Sequence, residues 1–354
     1  MDQFFVSSPF TLVASAANAA CWSGRHDVRS RLERLCHSFS KRNDSSLDMI
    51  WANFGSGKSH ALFYLGHVVN EQCGENVIPA FVEMPEQLQH FIDLYRRIVL
   101  NLPLKRICQM ILDRLPPSRN PNLVRAASAM VHGGAFERPL AEQWLHAERP
   151  NLRELKKGTN IDARIDDPAA CDVLSDMIWS MAQTGSRLLL LLDEFQRVRV
   201  LQQRARNSLL SNLRSLFSRN PNGLTVVLVV GSRVENSATE LLPPELLTLV
   251  GMRPSISLPE FNESEAKEFL LGRLAFFRPP NYSGAPTAPF GADVIDKTLT
   301  FIHSKNAARL IPRTILQAFG YLYDEAAVDE KGEMKPQEVE RLLAELRWDE
   351  QTAT

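Results

Sequence analysis

The strongest chemical signal in the sequence is a short stretch at residues 52–59, which reads Ala-Asn-Phe-Gly-Ser-Gly-Lys-Ser. It matches the phosphate-binding pattern G-x-x-x-x-G-K-[ST] except for alanine in the first position. The glycines let the backbone turn so that successive N–H groups face phosphate oxygens, while the lysine reaches the β- and γ-phosphates and the serine binds Mg²⁺. The residues expected to contact a nucleotide here are Gly55, Ser56, Gly57, Lys58, Ser59 and His60.

Two adjacent carboxylates follow the apolar run Leu188–Leu192. In enzymes that hydrolyse nucleotides, a carboxylate at the end of a buried strand holds the Mg²⁺ shell, and a second polar group orients the attacking water. Asp193 fits the first role and Glu194 the second. An acidic strand end alone is weak evidence, but together with the upstream loop it indicates hydrolysis of a Mg²⁺-bound nucleotide. We therefore take Ser59 and Asp193 as the metal ligands.

A further apolar run, Leu224–Val230, ends in Gly231 and Ser232. A polar side chain at the end of a strand beside the carboxylate strand is suited to contact the γ-phosphate or the attacking water. Ser232 is the candidate for this contact. The alternative interpretation is an ordinary strand-end turn.

The elements that must position these residues alternate between strand and helix. Helical spacing predicts helices at about 27–39, from about 60, and at 91–102, whereas short apolar runs predict strands at 47–51, 77–82 and 255–258. Continuous apolar runs of five to seven residues, as at 188–192 and 224–230, are typical of parallel strands buried on both faces. The pattern predicts an α/β fold, a parallel sheet flanked by helices.

The rest of the chain is expected to be mainly helical. Residues 103–183 are predicted to form a helical insertion, with turns near 116, 133 and 158. From residue 262 onward the pattern is again helical, interrupted by a proline-rich stretch at 278–289, and one further helix is expected to begin at Pro336. We predict an αβ nucleotide-binding domain at 1–259, with the insertion at about 103–183, and a small helical domain at 260–354.

Composition excludes several other classes of protein. The 354 residues contain 40 Lys and Arg against 41 Asp and Glu, so the chain as a whole is neither a basic nucleic-acid coat nor an acidic tail. Five cysteines without a C-x-x-C pair favour neither a disulfide framework nor a zinc ribbon. No run of about 18 apolar residues predicts a membrane span, and Asp2 argues against a signal peptide. We expect a cytoplasmic protein.

The near-neutral total conceals a local excess of arginine. Residues 195–234 contain no Asp or Glu and seven arginines. Three interpretations remain open: contact with a nucleic-acid backbone, an interface between subunits, and a solvated helix face neutralised by acids from elsewhere in the chain. The arginines assigned to contact with duplex DNA are Arg197, Arg199, Arg204 and Arg206.

These motifs together resemble the AAA+ P-loop ATPases of the initiator (ORC/Cdc6-like) branch. Residues 22–25, Trp-Ser-Gly-Arg, look like that family's N-terminal box, which implies that Gly24 and Arg25 pack near adenine. The segment at 306–319 looks like sensor 2 of the family's lid, which implies that Arg313, with Arg309 in reserve, reaches the γ-phosphate. Arg253 lies where the family places its arginine finger, with Arg219 as a rival.

A second resemblance is to ATP-binding proteins of bacterial phage-defence (BREX-type) islands. It depends on the loop at 54–60 and on residues 142–157, Glu-Gln-Trp-Leu-His-Ala-Glu-Arg-Pro-Asn-Leu-Arg-Glu-Leu-Lys-Lys. The spacing of 135 residues from Lys58 to Asp193 is long for a minimal AAA+ core, and it implies a helical insertion such as these proteins carry. Initiator relatives often carry a winged-helix DNA reader after the lid, whereas one helix is expected here.

The resemblances imply a P-loop NTPase fold with a small all-α lid, and an oligomeric ATPase with ATP at the junctions between subunits. Its hydrolysis would drive assembly or remodelling of a DNA-associated complex, in phage defence or in a mobile element, through an effector protein. The alternative is an ATP-gated scaffold that recruits an effector with little turnover. A motor that threads a strand would need pore-loop aromatic residues that we cannot place.

Overall fold

The computed structural model describes residues 4–41, 44–231, 241–250, 255–305, 309–325, 334 and 336–346. The five strands in these ranges are β1 (Ser46–Ala52), β2 (Val77–Glu83), β3 (Arg187–Asp193), β4 (Leu224–Gly231) and β5 (Ile256–Leu258). They form one sheet in the order β2-β3-β4-β1-β5. The predicted α/β class, a sheet flanked by helices, is therefore confirmed.

The burial of the central strands explains the long apolar runs in the sequence. Every residue of β1 and β3 is buried, as expected for strands covered on both faces. Strand β3 pairs in parallel with both β2 and β4. In this register Glu83 lies opposite Asp193, so the last residues of β2 and β3 are neighbours.

Helices form the remainder of the regular structure. Those before the insertion are α1 (His26–Lys41), α2 (Lys58–Gln72) and α3 (Phe91–Leu100). The predicted insertion consists of α4 (Leu104–Arg114), α5 (Pro121–His132), α6 (Glu137–Leu145), α7 (Leu152–Thr159) and α8 (Asp167–Gln183). They are followed by α9 (Gln203–Arg219), α10 (Pro244–Val250), α11 (Glu263–Phe276), α12 (Ala292–Ser304), α13 (Pro312–Glu325) and α14 (Pro336–Glu345). Short 3₁₀ helices lie at Ala16–Asn18, Gly74–Asn76 and Phe195–Val200.

Side-chain caps explain where two insertion helices begin. The Asn120 side chain accepts from the Leu123 N–H at the start of α5, and that of Asp166 accepts from the Ala169 N–H at the start of α8. Each helix also has proline in its first turn, where the missing N–H costs nothing. These pairs of residues fix the helix starts in a segment that has no strands among its described residues.

The chain groups into two compact units, each with its own apolar core. One, here called the loop unit, comprises Met1–Glu33, Ala52–His67 and Ile256–Thr354; the other, the carboxylate unit, comprises Arg34–Trp51 and Val68–Ser255. This grouping joins the N-terminal segment and the glycine-rich loop with the C-terminal helices, so it differs from a division at residue 259. The predicted domain boundaries stay a prediction.

The core of the loop unit is rich in aromatic residues. Phe5 and Phe10 from the N-terminal segment pack there with Phe290 and Phe319 from the helical part. The predicted last helix contributes its apolar face to the same core, through Val339, Leu342 and Leu343. None of the helices in the described ranges is both long and apolar enough to cross a membrane.

Candidate nucleotide-binding and catalytic residues

The glycine-rich loop has the backbone conformation that its sequence predicts. Gly55 and Gly57 have φ values of +78° and +95°, in the left-handed region that glycine adopts at little cost. A Cβ on Gly55 would lie only 3.0 Å from Ile311 Cδ1 and 3.1 Å from Arg313 Cβ. The Ser56 N–H and hydroxyl both donate to the Asn53 carbonyl, at 3.2 and 2.5 Å. The loop is thus held in a tight turn that a larger residue at 55 would disturb.

Helix α2 begins at Lys58, directly after the loop. The first N–H groups of a helix have no partner within it and carry a partial positive charge, which favours a phosphate. Lys58 adds a full positive charge at this end and is only 6% exposed. Ser59 lies in the same first turn. The loop and the helix start together form a local cradle for an anion.

His60, which stays a predicted nucleotide contact, packs against the N-terminal segment. Its Nε2 lies 2.8 Å from the Cys21 carbonyl, to which it donates, and its ring stacks on Trp22 with 5.9 Å between centroids. Desolvation by burial is the main reason that the pKa of His60 is lowered to about 4. The ring is therefore neutral at pH 7, and its contacts tie residues 21–22 to helix α2.

The Gly24-Arg25 turn brings a buried cation to the loop. Both residues have positive φ, +67° and +47°. The Arg25 side chain stacks over the Phe261 ring at 4.2 Å, and its Nη1 donates to the Ser56 carbonyl at 2.7 Å. Arg25 is 3% exposed, and its Nε and Nη2 have no hydrogen-bond partner among the described residues. Burial lowers its pKa to about 10, against the opposing effect of Glu265 and two further acids.

Of the two arginines considered for sensor 2, Arg313 contacts the loop. Its N–H donates to the Gly55 carbonyl at 3.2 Å, and its guanidinium lies 3.9 Å from the centroid of the exposed Phe54 ring. Lys58 Nζ lies 5.8 Å from the same ring. Arg309 instead forms an ion pair with Glu260 at 3.1 Å. Arg313 is thus the better placed of the two to respond to a phosphate in the loop.

In the carboxylate unit, the end of β3 is fixed by backbone contacts. Asp193 is 3% exposed, and its Oδ1 accepts from the Glu194 N–H at 2.8 Å. The Asp193 carbonyl accepts from the Met84 N–H at 3.0 Å, which continues the pairing of β3 with β2 beyond the strands. These contacts hold the first carboxylate at a defined strand end.

Glu194 has an unusual backbone and a constrained side chain. Its φ is +55°, a conformation that non-glycine residues seldom adopt outside functional or tightly held positions. Gln196 Nε2 donates to Glu194 Oε2 at 2.5 Å, and Gln196 Oε1 accepts from the Gly231 N–H at 2.7 Å. The sequence offered no signal for Gln196 beyond its place two residues after the carboxylate.

Much of the arginine-rich segment is neutralised from elsewhere in the same unit. Arg197 donates to Glu83 at 2.8 Å and to the Met84 carbonyl at 2.5 Å. Arg214 pairs with Glu245, and Arg219 pairs with Asp172. The third interpretation, acids supplied from elsewhere, therefore holds for these three arginines. Arg204 is exposed in the first turn of α9, whose N-terminal end also carries Arg206.

Two predicted site residues, Ser232 and Arg253, lie outside the described residues. Within the described ranges, no group of three or more His, Cys, Asp or Glu side chains is placed to hold a metal ion. A magnesium ion bound with a nucleotide does not require such a group, because phosphates and waters supply most of its ligands. One hydroxyl and one carboxylate, as in Ser59 and Asp193, have the chemistry that such an ion accepts.

Comparison with known proteins identifies a family for part of the chain. Residues 123–231 match the family described as "BREX system ATP-binding protein BrxC/D". The matched segment begins in α5 and ends at the last residue of β4, so it includes Asp193 and Glu194 but not the glycine-rich loop. No curated protein sequence matches the chain.

Solved structures extend the similarity over nearly the whole chain. The ORC1 protein of Aeropyrum pernix in complex with DNA is 11% identical, with 98% of this chain and 71% of that one covered and a TM-score of 0.54. The ORC2 protein of A. pernix in ADPNP-ADP complexes is 16% identical (92% and 70% covered, TM-score 0.53). The HORMA:CdnC:Trip13 complex of E. coli MS115-1 contains a chain that is 9% identical (94% and 92% covered, TM-score 0.53).

At these identities the structural matches establish the fold and no more. The chain has the α/β fold of the ORC/Cdc6-type AAA+ ATPases, with a five-stranded sheet flanked by helices. Both resemblances, to the initiator-type fold and to the BREX ATP-binding family, are confirmed at this level.

Proposed function

We propose that this protein binds ATP with Mg²⁺ and hydrolyses it to control a DNA-associated assembly in phage defence. The observation that carries the proposal is the glycine-rich loop at the start of α2, with buried Lys58 and with Arg25 and Arg313 bonded to its backbone. Such a cradle matches a polyphosphate in charge and shape. The defence context rests on the family match of residues 123–231.

Residues of the loop unit would bind the nucleotide. The N–H groups at Gly55–Ser59 would donate to phosphate oxygens, and Lys58 would pair with the terminal phosphates. Arg313 already contacts Phe54 and Gly55, so a side-chain movement within the loop unit would bring it to the γ-phosphate. Gly24 and Arg25 would line the base end, and the Nε and Nη2 of Arg25, which have no partner within the described part of the chain, would gain acceptors there.

Residues of the carboxylate unit would promote turnover. Glu194 would orient the attacking water and accept its proton, and Ser232 would contact the γ-phosphate or the water. Ser59 and Asp193 would hold Mg²⁺, which when bound neutralises charge on the phosphate oxygens. Charge that develops during phosphoryl transfer would also be stabilised by an arginine from a neighbouring subunit. Arg253 is our candidate for that arginine, since Arg219 pairs with Asp172 in its own subunit.

The partner is proposed to be a nucleic-acid backbone together with an effector protein. The arginines we assign to phosphate contact are Arg197, Arg199, Arg204 and Arg206, of which Arg197 also donates to Glu83 and to the Met84 carbonyl. The ORC1 structure similar to this chain is a complex with DNA, and the Trip13 structure is a complex with other proteins. Binding through such arginines weakens steeply with salt, because condensed counterions are released.

The test combines turnover, assembly and DNA binding. We expect the purified protein to release phosphate from Mg-ATP, and light scattering to show a larger particle with a non-hydrolysable ATP analogue than without it. Tight ATP binding with no phosphate release, with or without duplex DNA, would favour the scaffold function instead.

For the DNA contact, the Arg204→Glu, Arg206→Glu double variant should lose salt-sensitive binding of duplex DNA. Unchanged binding would contradict that contact.

A further inference from the structure

The side chain of Gln196 forms a bridge between two strand ends in the carboxylate unit. Its Nε2 donates to Glu194 Oε2 at 2.5 Å, next to the end of β3. Its Oε1 accepts from the N–H of Gly231, the last residue of β4, at 2.7 Å. We infer that Gln196 is the positioning residue for Glu194 in the ATP hydrolysis proposed above, an inference that rests on that proposed function.

The bridge defines which way the amide faces. A backbone N–H can only donate, so the Gln196 atom facing Gly231 must be the oxygen. The NH₂ group is then directed to the Glu194 carboxylate, where a charge-assisted hydrogen bond forms. Because both ends of the amide are engaged, the carboxylate oxygen is held in place relative to strand β4 as well as to its own strand.

The backbone around Gln196 is also anchored. Glu194 has a φ of +55°, and its N–H donates to Asp193 Oδ1 at 2.8 Å. Arg197, the next residue after Gln196, donates to Glu83 and to the Met84 carbonyl beyond β2. The short helix that carries Gln196 is therefore fixed to the ends of β2, β3 and β4 together. A general base must hold its carboxylate within hydrogen-bond reach of the water it activates, and this arrangement supplies such restraint.

Two substitutions of Gln196 distinguish the effects of its two hydrogen bonds. Gln196→Met keeps the length of the side chain and removes both hydrogen bonds. Gln196→Glu keeps an oxygen for the Gly231 N–H but replaces the donor to Glu194 by a second carboxylate, which repels it. Gln183→Met, at the exposed C-terminal end of α8, is the matched control.

The experiment measures ATP hydrolysis, ATP binding and amide exchange in the full chain. We expect kcat to fall roughly tenfold in both Gln196 variants, with KM and the Kd of ATP within about twofold of wild type, because the base is misplaced but the phosphate loop is intact. Hydrogen exchange at the Gly231 amide should accelerate in Gln196→Met and stay slow in Gln196→Glu. The Gln183→Met variant should match wild type throughout.

The outcomes separate this inference from the proposed function. Wild-type kcat in both Gln196 variants, alongside an inactive Glu194→Gln variant, would overturn the role of Gln196 and leave the proposed hydrolysis standing. A parallel loss of ATP binding and kcat would show a merely structural role and would also overturn it. Wild-type hydrolysis in Glu194→Gln would instead remove the proposed function, and the inference with it.

Discussion

Arg25 of the loop unit and Glu194 of the carboxylate unit are held in different ways. Arg25 of the loop unit is buried with Nε and Nη2 unpartnered among the described residues, whereas Glu194 of the carboxylate unit has both its N–H and its carboxylate bonded. A buried polar group without a partner costs free energy, which a ligand can recover by supplying an acceptor. The comparison suggests that the loop unit is arranged to take up a ligand and the carboxylate unit to hold a catalytic group still.

The largest effect on binding is expected from the loop lysine. Lys58→Ala removes a buried positive charge at the start of α2, and a hydrogen bond to a charged group is worth about 1.5–3 kcal/mol. We expect the Kd of ATP to rise about 10- to 100-fold, measured by titration with a fluorescent ATP analogue. Exposed Lys297 of α12, changed to alanine, is the control. Equal affinity for ATP in wild type and Lys58→Ala would contradict the proposal that the loop binds ATP.

The next largest effect on turnover and ATP affinity is expected from Arg313, with Arg309 as its comparison. Arg313→Ala should lower turnover and ATP affinity by roughly tenfold together, since it removes a charged group that contacts the loop where we propose that the phosphates bind. Arg309→Ala breaks a half-exposed pair with Glu260, worth about 0–1 kcal/mol, and should leave both quantities near wild type. The reverse result would mean that the two arginines have been assigned the wrong way round.

His60 should make the stability of the protein depend on pH. Its folded pKa is about 4, below its ordinary value of 6.5, so between these values the unfolded chain binds the proton and the folded chain does not. The contribution of His60 to the free energy of unfolding is then fully present above about pH 6.5. It is lost as the pH drops toward 4, and the loss is at most about 3 kcal/mol. Urea unfolding of His60→Gln at pH 7.5, 5.5 and 4.5 should show a flatter dependence than wild type or the exposed control His303→Gln. The same pH dependence of the unfolding free energy in all three proteins would contradict this role of His60.

The smallest effect concerns the turn that carries Arg25. Gly24 has a φ of +67°, and a Cβ there would lie 3.1 Å from the Glu265 carbonyl oxygen, so Gly24→Ala should destabilise the fold by about 1–2 kcal/mol. Gly74→Ala is a matched control, since Gly74 has a similar φ of +57° but nothing within 4 Å. Gly24→Ala should therefore lower the melting temperature more than Gly74→Ala does. Equal shifts in melting temperature would show that the close approach of Gly24 to α11 does not affect stability.

The sequence predicted well the features that are encoded locally. Strands β3 and β4 follow from runs made almost entirely of Leu and Val, because strands buried on both faces are mostly apolar. The glycines at 55 and 57 predicted a turn of positive φ, and the structure has it. The last helix and its buried face were likewise readable from the spacing of Val339, Leu342 and Leu343.

Features that depend on distant partners were not predictable in this way. In the acid-free stretch, Arg197 pairs with Glu83 and Arg219 pairs with Asp172, which are 114 and 47 residues away from them. The ring of His60 contacts the carbonyl of Cys21, 39 residues earlier, and its position in the loop at 54–60 gave no sign of that contact. Gln196 reaches Gly231 only because β3 and β4 are paired.

The central claim, that the loop unit binds ATP and the carboxylate unit turns it over, is tested most directly by Glu194→Gln. This variant keeps the size of the side chain and removes the base, so phosphate release should fall about 10²- to 10⁴-fold while the Kd of ATP stays within about twofold of wild type. Binding and turnover should be measured on the same preparation, with Glu148→Gln, an exposed acid between α6 and α7, as the control. Wild-type phosphate release from Glu194→Gln, with ATP still bound, would contradict the account.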